Sequence, residues 1–449
     1  MVIWKGPNGG KCTYWVHGQP PYAFLCRRQP DPLPHLNSSG LHLTLHHPRS
    51  PCSPAPVPDL PFSAVLSHDE ARVRSLAARL TKSLPKPVSS LLRPAAVSVP
   101  LSPGSSIGVG NYITRIDLGT PAKSYVMLVD TGSSLSWLQC SPCSVSCHAQ
   151  VGSVFNPASS ATYRAVSCSA SECDSLESAT LNPSECSLSD VCIYQASYGD
   201  SSFSVGYLSK DTLSLGSGNR VANFVFGCGQ DNEGLFGRSA GLIGLARNRL
   251  SLLSQLAPSL GYSFSYCLPT TASTGYLSIG SYKPGQYSYT PMQSSSLDDT
   301  LYFVRLTSIT VGGRGLPVSS SAYAGTPTVI DSGTVITRLP SDVYDALSGA
   351  VAAALRGYPR APAYSILDTC FKGGLSRLAV PAVEMVFRGG ATLRLAPGNV
   401  MIDVDSSTTC LAFAPSGRVA IVGNKQQETY SVVYDVGRLR IGFAAGGCG

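Results

Sequence analysis

The chain has 449 residues, of which 43% are hydrophobic and 13% are charged, and its formal net charge at pH 7 is +7. This apolar content is enough to bury a large core, which excludes a disordered charged tail, and the 44 Gly and 33 Pro follow no triplet period, which excludes collagen. The 15 Cys are typical of proteins from an oxidising compartment.

The positive excess lies entirely in the N-terminal quarter. Residues 1–104 contain 11 Lys and Arg against 4 Asp and Glu, whereas residues 105–449 contain 22 of each kind. A neutral body argues against a large nucleic-acid-binding face, because such binding depends on neutralising phosphates. The apolar runs are too short for a membrane-spanning helix or an ordinary signal peptide, so we predict neither.

The N-terminal quarter divides into three segments. Residues 1–60 are dense in Pro and polar residues and are predicted to be a disordered or targeting segment. Residues 62–82 predict an amphipathic helix in which Asp69 and Glu70 lie early and Arg79 and Lys82 lie late, as the helix dipole favours. Its apolar positions are Leu66, Val73, Leu76 and Leu80. An ordinary surface helix and the helix of a basic propeptide over residues 61–104 are both compatible with this pattern, and a Ser/Pro/Gly-rich linker follows it.

From Gly110 onward the sequence is typical of an all-β protein. Short β-branched and aromatic runs alternate with Gly, Pro, Asn and Ser, and helical patterns are confined to 249–257 and 341–355. The predicted strands include Tyr112–Ile116, Tyr125–Val129, Phe224–Phe226, Tyr302–Leu306 and Val432–Tyr434. Many short strands with few helices indicate β-sandwiches or β-barrels.

An internal repeat suggests where chemistry occurs. Val129-Asp130-Thr131-Gly132-Ser133 is echoed by Ile330-Asp331-Ser332-Gly333-Thr334, and each copy follows an apolar strand. A second echo lies downstream of each copy, as Leu242-Ile243-Gly244 and as Ile421-Val422-Gly423. This spacing predicts two related β lobes that each donate one loop carrying an Asp.

Two carboxylates held together can perform general acid and base catalysis without a metal or cofactor. Like charges in contact repel at low dielectric, so the pair shares one proton. The ionised member can activate a water while the protonated member polarises a carbonyl. The loop residues expected to support Asp130 and Asp331 are Thr131, Gly132, Ser133, Ser332, Gly333 and Thr334. One Asp-Thr-Gly alone is more often a turn, but two copies in matching contexts favour a catalytic site.

These motifs resemble the pepsin family of aspartic endopeptidases over residues 110–449. The phrases that carry the resemblance are Leu118-Gly119-Thr120-Pro121, Asp130 to Trp137, Gly241 to Ala246, Phe264 to Leu268 and Leu367 to Phe371. Together with the Cys-rich stretch 140–192, they are similar to the plant nepenthesin-like branch, close to the subgroup of the chloroplast nucleoid DNA-binding aspartic protease. The resemblance implies a bilobal all-β fold with two β-barrel-like lobes, 105–285 and 286–449, a deep cleft between them and few short helices.

The resemblance also implies a flap, a hairpin that closes over the cleft. Its candidate residues are Tyr198 and Gly199, with the Tyr198 hydroxyl directed toward Trp137. Without the resemblance, Tyr198 would be interpreted as an ordinary strand aromatic and Trp137 as a core residue. Two departures from animal pepsins are visible. Ser332 replaces a Thr but keeps the hydroxyl, and Asn424 replaces a common Asp, which removes a carboxylate near the pair.

Twelve cysteines lie in 110–449, and their spacing leaves the pairing open. The resemblance to nepenthesin implies the pairs Cys140–Cys143, Cys147–Cys228, Cys168–Cys192, Cys173–Cys186, Cys267–Cys448 and Cys370–Cys410. A zinc site at Cys140-x-x-Cys143 is the alternative, but the accompanying His-x-x-x-His pattern is missing. We therefore predict disulfides and no metal.

Members of the family are made as zymogens whose basic propeptide covers the acidic cleft. The candidate cations here are Arg72, Arg74, Arg79, Lys82, Lys86 and Arg93. We expect them to pair with cleft carboxylates at neutral pH and to be released in acid, with cleavage near residues 100–110.

The sequence is compatible with three functions. The first is an acid endopeptidase that cuts extended polypeptides. The second is a catalytically inactive relative that binds or inhibits other proteins, as some plant members do after losing one Asp or the flap. The third is a plastid nucleoid DNA-binding protease, against which the neutral body argues. We predict a monomer with its own propeptide and polypeptide substrates as partners, in the secretory pathway or apoplast, with the chloroplast as alternative; the one glycan acceptor, Asn37, lies outside the lobes.

Overall fold

The computed structural model describes residues 2–5, 11–14, 40–50, 52–55, 61–82, 112–198, 202–214, 220–234, 236–295, 298–326, 328–417 and 419–448. The α-helices in this part are α1 Phe62–Lys82, α2 Ser171–Asp174, α3 Leu176–Thr180, α4 Leu252–Leu260, α5 Ser320–Ala324, α6 Ser341–Ala354, α7 Pro397–Val400 and α8 Asn424–Gln427. Short 3-10 turns occupy Pro157–Ser159, Pro284–Gln286, Leu375–Arg377 and Val436–Arg438. The predicted helix over 62–82 is confirmed at its full length, and those at 249–257 and 341–355 are confirmed within three residues.

Thirty strands make up the rest of the regular structure in the described residues. The first eleven are β1 Val2–Lys5, β2 Lys11–Tyr14, β3 Leu41–Leu45, β4 Ile113–Leu118, β5 Lys123–Asp130, β6 Trp137–Gln139, β7 Arg164–Ala165, β8 Glu185–Cys186, β9 Cys192–Ser197, β10 Phe203–Ser214 and β11 Arg220–Glu233. The next nine are β12 Gly241–Gly244, β13 Ser263–Cys267, β14 Gly275–Ile279, β15 Ser288–Pro291, β16 Phe303–Val304, β17 Leu306–Val311, β18 Arg314–Gly315, β19 Thr328–Ile330 and β20 Thr337–Pro340. The last ten are β21 Arg360–Ala361, β22 Cys370–Lys372, β23 Val383–Phe387, β24 Thr392–Leu395, β25 Met401–Asp403, β26 Thr408–Leu411, β27 Phe413–Ser416, β28 Ala420–Val422, β29 Tyr430–Asp435 and β30 Arg440–Ala445.

The first lobe is built on one nine-stranded sheet that closes on itself. Its strands pair in the order β11-β6-β12-β5-β4-β10, and β10 pairs again with β11, which completes a ring of six. Strand β9 lies beside this ring and pairs with residues Phe203–Tyr207 of β10 as an antiparallel hairpin. The ring confirms the β-barrel-like lobe expected from the motifs.

The second lobe contains three smaller sheets, and a fourth sheet joins the lobes. The sheets of the second lobe have the orders β16-β19-β28-β20-β27, β18-β17-β23-β24 and β21-β22-β26-β25. The joining sheet has the order β15-β30-β29-β13-β14-β3 and therefore draws strands from both halves of the chain. The all-β, two-lobed prediction is thus confirmed.

The downstream echo of the repeat is explained by strand pairing. Strand β12 runs parallel to β5, so that Gly244 pairs with Asp130, and β28 runs parallel to β19 in the same manner. A Cβ on Gly244 would lie 2.2 Å from the carbonyl oxygen of Ser134, and one on Gly423 would lie 2.7 Å from that of Val335. Glycine is required at both positions because the Asp loop of each lobe crosses directly over it.

The predicted disorder of residues 1–60 is wrong for part of that segment. Strand β3 pairs with Gly275–Ile279 along its whole length, and Leu41 and Leu45 are buried in the main core. The reason is the alternation of apolar and polar residues in Leu-His-Leu-Thr-Leu, a half-buried strand pattern that the surrounding prolines obscured.

Six disulfides join the twelve cysteines of 110–449. The pairs Cys267–Cys448 and Cys370–Cys410 are confirmed. The other four implied pairs are wrong, since the observed partners are Cys140–Cys228, Cys143–Cys147, Cys168–Cys186 and Cys173–Cys192. Strand pairing explains why Cys140 bonds to Cys228. Strand β6 runs parallel to β11, Leu138 pairs with Cys228, and the amide of Cys140 donates to the carbonyl oxygen of Gly229, so that Cys140 and Cys228 lie side by side. With both sulfurs of Cys140-x-x-Cys143 in disulfides, the zinc alternative is also excluded.

None of the helices in the described segments is both long and apolar enough to cross a membrane.

Candidate active site

Asp130 and Asp331 stand at the ends of equivalent strands in the two lobes, and both are fully buried. Each carboxylate accepts a hydrogen bond from the amide two residues ahead, at 2.9 Å from Gly132 to Asp130 and at 3.1 Å from Gly333 to Asp331. The two loops therefore have the same local turn, and the repeat seen in the sequence is a repeat in geometry.

The loops are tied to each other by their hydroxyls. The amide of Ser332 donates to Oγ1 of Thr131 at 2.9 Å, and the amide of Thr131 donates to Oγ of Ser332 at 3.3 Å. Thr334 donates to Oδ2 of Asp331 at 2.6 Å. The expected hydrogen bond from Ser133 is not made, since its buried Oγ has no partner among the described residues.

A cation from the middle of α1, Arg72, contacts both aspartates. Its Nη2 lies 2.5 Å from Oδ1 of Asp130 and 3.0 Å from Oδ1 of Asp331, and its Nε lies 2.8 Å from Oδ2 of Asp331. One guanidinium nitrogen thus reaches both carboxylates, which shows that the two face each other across a single positive charge.

Arg72 dominates the electrostatics of Asp331 in this cluster. Burial raises the pKa of the Asp331 carboxyl, but the charge and hydrogen bonds of Arg72 outweigh it, so that the pKa lies below its ordinary value. Burial lowers the pKa of Arg72, yet Asp130 and Asp331 together raise it well above the ordinary value.

Helix α1 is held in the cleft mainly by apolar contacts with the second lobe. Phe62, Val65 and Leu66 pack near Val335 and Ile336, while Val73, Leu76 and Leu80 pack on strands β16, β19 and β28. Full burial of such a side chain contributes about 1.5–3 kcal/mol.

A second arginine of α1 supports the docking. Arg79 pairs with Asp298 at 2.8 Å and donates to the carbonyl oxygen of Gly132 at 2.6 Å. Arg74, by contrast, is largely exposed and pairs only with Glu70 of its own helix at 3.8 Å among the ion pairs of the described chain. Lys86 and Arg93 and the side chain of Lys82 lie outside the described residues.

The sequence suggested that Asp69 and Glu70 interact favourably with the helix dipole, and this prediction is wrong. The helix begins at Phe62, so these residues lie in its middle. Asp69 is fully buried; its Oδ1 accepts from the amide of Val335 at 2.5 Å and its Oδ2 lies 3.0 Å from Nη2 of Arg338. Burial raises the pKa of the Asp69 carboxyl, although Arg338 and the amides act in the opposite direction.

Below the pair lies a layer of buried polar groups. Gln427 donates to the carbonyl oxygen of Asp331 at 3.3 Å and contacts the hydroxyl of Tyr266, which bonds that of Tyr434 at 2.8 Å. Burial raises the pKa of Tyr266. Asn424 donates to the carbonyl oxygen of Ser332 at 2.9 Å, so this amide supports the second loop where a carboxylate could not donate.

The flap geometry agrees with the expectation for Tyr198. The indole Nε1 of Trp137, which is fully buried, donates to the Tyr198 hydroxyl at 2.7 Å. The rings of both residues contact Phe236 edge to face, at centroid distances of 4.7 and 5.7 Å. Gly199 lies outside the described residues.

A cavity of about 310 Å³ lies between α1 and the first lobe. Its first-lobe wall is largely apolar and includes Leu128, Tyr198, Phe236 and Leu242, while Asp130 and Arg72 lie at its edge.

Sequence reasoning missed Arg338 and the role of Asp69. Arg338 is a charged residue within the apolar run Val335 to Leu339, and Asp69 is an acid within a basic helix. Charged residues are rarely buried without a partner, so each of these two residues could have been identified from the sequence as one end of a buried ion pair.

A closed β lobe and its counterpart, each supplying one Asp to a shared buried pair beneath a Tyr-bearing hairpin, define the pepsin-like aspartic protease class. Two family profiles match the chain, described as xylanase inhibitor N-terminal over residues 112–281 and xylanase inhibitor C-terminal over 301–445. An aspartyl protease family protein of Arabidopsis thaliana is 41% identical over 91% of this chain and 87% of its own length. Aspartic proteinase nepenthesin-2 of Nepenthes gracilis is 35% identical over 86% and 85%. The chain belongs to the plant branch of the pepsin-like aspartic protease family.

Solved structures agree with this fold. The crystal structure of edgp matches with a TM-score of 0.61 and 22% identity, covering 75% of this chain and 92% of that one. Basic 7S globulin from soybean matches with a TM-score of 0.59 and 22% identity, covering 75% and 94%. At this identity the likeness concerns the fold.

Proposed function

We propose that this chain is the precursor of an aspartic endopeptidase that hydrolyses extended polypeptides in acid. The observation that carries the proposal is that a single nitrogen of Arg72 reaches both Asp130 and Asp331, since only two facing carboxylates allow that contact. The family relationship supports the same reaction class.

The catalytic cycle follows from the pair without Arg72. Two facing carboxylates then share one proton. The ionised member takes a proton from a water as its oxygen attacks the scissile carbonyl carbon, and the protonated member donates to the carbonyl oxygen. In the resulting diol, the carboxylate that is now ionised takes a proton from one hydroxyl while the other carboxyl protonates the amide nitrogen. The C–N bond then breaks, and the pair holds one proton again, as at the start. Hydrogen bonds between Thr131 and Ser332 keep the two loops at a fixed separation through these steps.

Substrate binding would use the cleft that α1 occupies. An extended peptide can pair with the flap strands and place alternate side chains against the apolar wall of the cavity. Tyr198, held by Trp137, would close over the peptide.

In this proposal α1 is an inhibitory prosegment. It covers the pair, neutralises it through Arg72 and fills the cleft with apolar side chains. Cleavage within residues 83–111, near 100–110, would separate it from the lobes. The six disulfides fit a protein of the secretory pathway.

A second candidate is a non-catalytic protein that binds or inhibits other proteins. The descriptions of the two matched family profiles favour it. The complete pair of Asp loops in this chain favours catalysis instead, because an inhibitor has no need of two facing carboxylates.

A pepstatin-sensitive protease assay separates the two candidates. The full chain is incubated in acid and then tested on an unfolded protein substrate, with Asp130→Asn as the inactive control. Pepstatin-inhibited cleavage that is lost in the variant supports the endopeptidase; absence of cleavage by the wild-type protein, after loss of the prosegment, supports the binder.

A further inference from the structure

Arg338 is a buried cation whose charged partners all come from α1. It lies on β20, its side chain is fully buried, and its Nη2 contacts Asp69 at 3.0 Å and Glu70 at 2.8 Å. Its Nη1 donates to the carbonyl oxygen of Ile336 at 2.8 Å. Within the described residues, no carboxylate of the two lobes lies within ion-pair distance of it.

The docked helix forms hydrogen bonds with only part of the Arg338 guanidinium. The buried Nε of Arg338 has no hydrogen-bond partner in the described part of the chain. Nε and Nη2 form one edge of the guanidinium, which is the edge that binds a carboxylate through two parallel hydrogen bonds. Two amides complete the surroundings, since Val335 and Ile336 donate to the carboxylate of Asp69 at 2.5 and 3.2 Å.

Departure of α1 would leave this cation and both amides without their anion. A buried charge that loses its partner is strongly destabilising, so the vacated site must be rehydrated or occupied by another anion. Asp69 and Val335 of this site line the cavity beside α1, where a polypeptide substrate would lie in the proposed function.

We propose that Arg338, with the amides of Val335 and Ile336, forms a subsite that binds an acidic side chain of the substrate, and that Asp69 occupies it in the precursor. This inference rests on the proposed endopeptidase function. It assigns the substrate class as polypeptides with Asp or Glu at one defined position.

The position of the acidic side chain relative to the scissile bond follows from the spacing of Asp69 and Arg72 on α1. Three residues of helix advance about 4.5 Å along the axis. An extended peptide advances about 3.3 Å per residue. Allowing for side-chain length, the acidic side chain lies within about three residues of the scissile bond.

The preference should depend on pH in a defined direction. The ordinary pKa of a Glu side chain is about 4.3, so the substrate carboxylate is ionised above that value and neutral below it. Discrimination of Glu from Gln should therefore be present at about pH 5.5 and fade toward pH 3.5.

The test uses the full chain cut once at a recognition sequence introduced within residues 83–111, with the N-terminal part removed in acid. Peptides with an apolar cleavage site carry Glu, Gln or Lys at each of four positions on either side. At one position, kcat/KM for Glu should exceed that for Gln by about tenfold at pH 5.5. In Arg338→Met this ratio should fall to about one, while cleavage of the Gln peptide persists.

Matched controls keep the outcomes distinct. Arg394→Met, which removes a side chain that is 76% exposed, should leave the ratio unchanged. Arg338→Lys keeps the positive charge but lacks the two adjacent N–H donors, so it should give an intermediate Glu-to-Gln ratio. This variant tests the inference if Arg338→Met fails to fold. A uniform Glu-to-Gln ratio of one at every position in the wild-type protein overturns the inference but leaves the endopeptidase function intact.

A binding measurement tests the subsite independently of catalysis. Fluorescence anisotropy of the same labelled peptides on the processed Asp130→Asn protein should show about tenfold tighter binding of Glu than of Gln at one position. If the wild-type protein cuts no peptide, the proposed function fails, and equal binding of the two peptides then overturns the subsite as well.

Discussion

Thr131 and Ser332, which are 201 positions apart, exchange hydrogen bonds through their hydroxyls and amides at 2.9 and 3.3 Å. Each residue follows one of the two aspartates. The exchange explains why a hydroxyl-bearing residue stands after each Asp: the pair of loops is held together from within the core, independently of the groups that cover the cleft.

Removing one hydroxyl should loosen both loops. Thr131→Val has the same shape but leaves the buried amide of Ser332 without an acceptor, which is expected to cost about 1–3 kcal/mol in the free energy of unfolding. Urea unfolding of the full chain measures this cost. Thr131→Ser keeps the hydroxyl and should retain more of the stability; equal losses in the two variants would show that the hydrogen bonds are not the cause.

Arg72 should be the residue that holds α1 over the aspartates. Arg72→Met leaves two buried carboxylates unpaired, and breaking such a cluster costs about 3–5 kcal/mol. Hydrogen exchange of the α1 amides at pH 7 should accelerate by about a hundredfold or more. Arg74→Met, two residues away and largely exposed, should change the exchange little. Similar acceleration in both variants would contradict a specific role for Arg72.

Docking of α1 should weaken as the pH falls. Arg72 lowers the pKa of Asp331 in the docked state against the raising effect of burial. The stabilisation is therefore fully present above the undocked pKa of Asp331 and is lost as the pH falls through its docked pKa.

Gel filtration measures this dependence. After a single cut within residues 83–111, the N-terminal part should remain bound at pH 7 and separate toward pH 4. Retention that increases steadily with acidity would contradict the assigned sign.

The hydrogen bond between Trp137 and Tyr198 should position the flap. Tyr198→Phe leaves the buried indole N–H without an acceptor, and we expect kcat/KM of the processed protein to fall about tenfold, with a stability loss of about 1 kcal/mol. Tyr207→Phe is the matched control, since this residue lies on the flap strand β10 with a 40% exposed side chain. A fall of the same size in both variants would indicate a general effect on the hairpin.

The sequence predicted the parts of the site that are encoded by local pattern. The two Asp loops, their downstream glycine echoes and α1 each have a short signature of strand, turn or helical period, and all were located correctly. Pairings between distant segments were not predictable in this manner. Four disulfides were assigned to the wrong partners because the partners are set by strand register, and the pairing of Asp69 with Arg338 depends on how α1 lies in the cleft.

The most direct test of the dyad is the activity of single Asn variants after removal of α1. Asp331→Asn and Asp130→Asn should each lower kcat/KM for a peptide at about pH 4 by at least about a thousandfold, since each carboxylate performs one half of the proton transfer. Asp342→Asn, on the exposed start of α6, should retain full activity. Retention of activity within tenfold of the wild-type protein in either dyad variant would contradict a mechanism that depends on the shared proton.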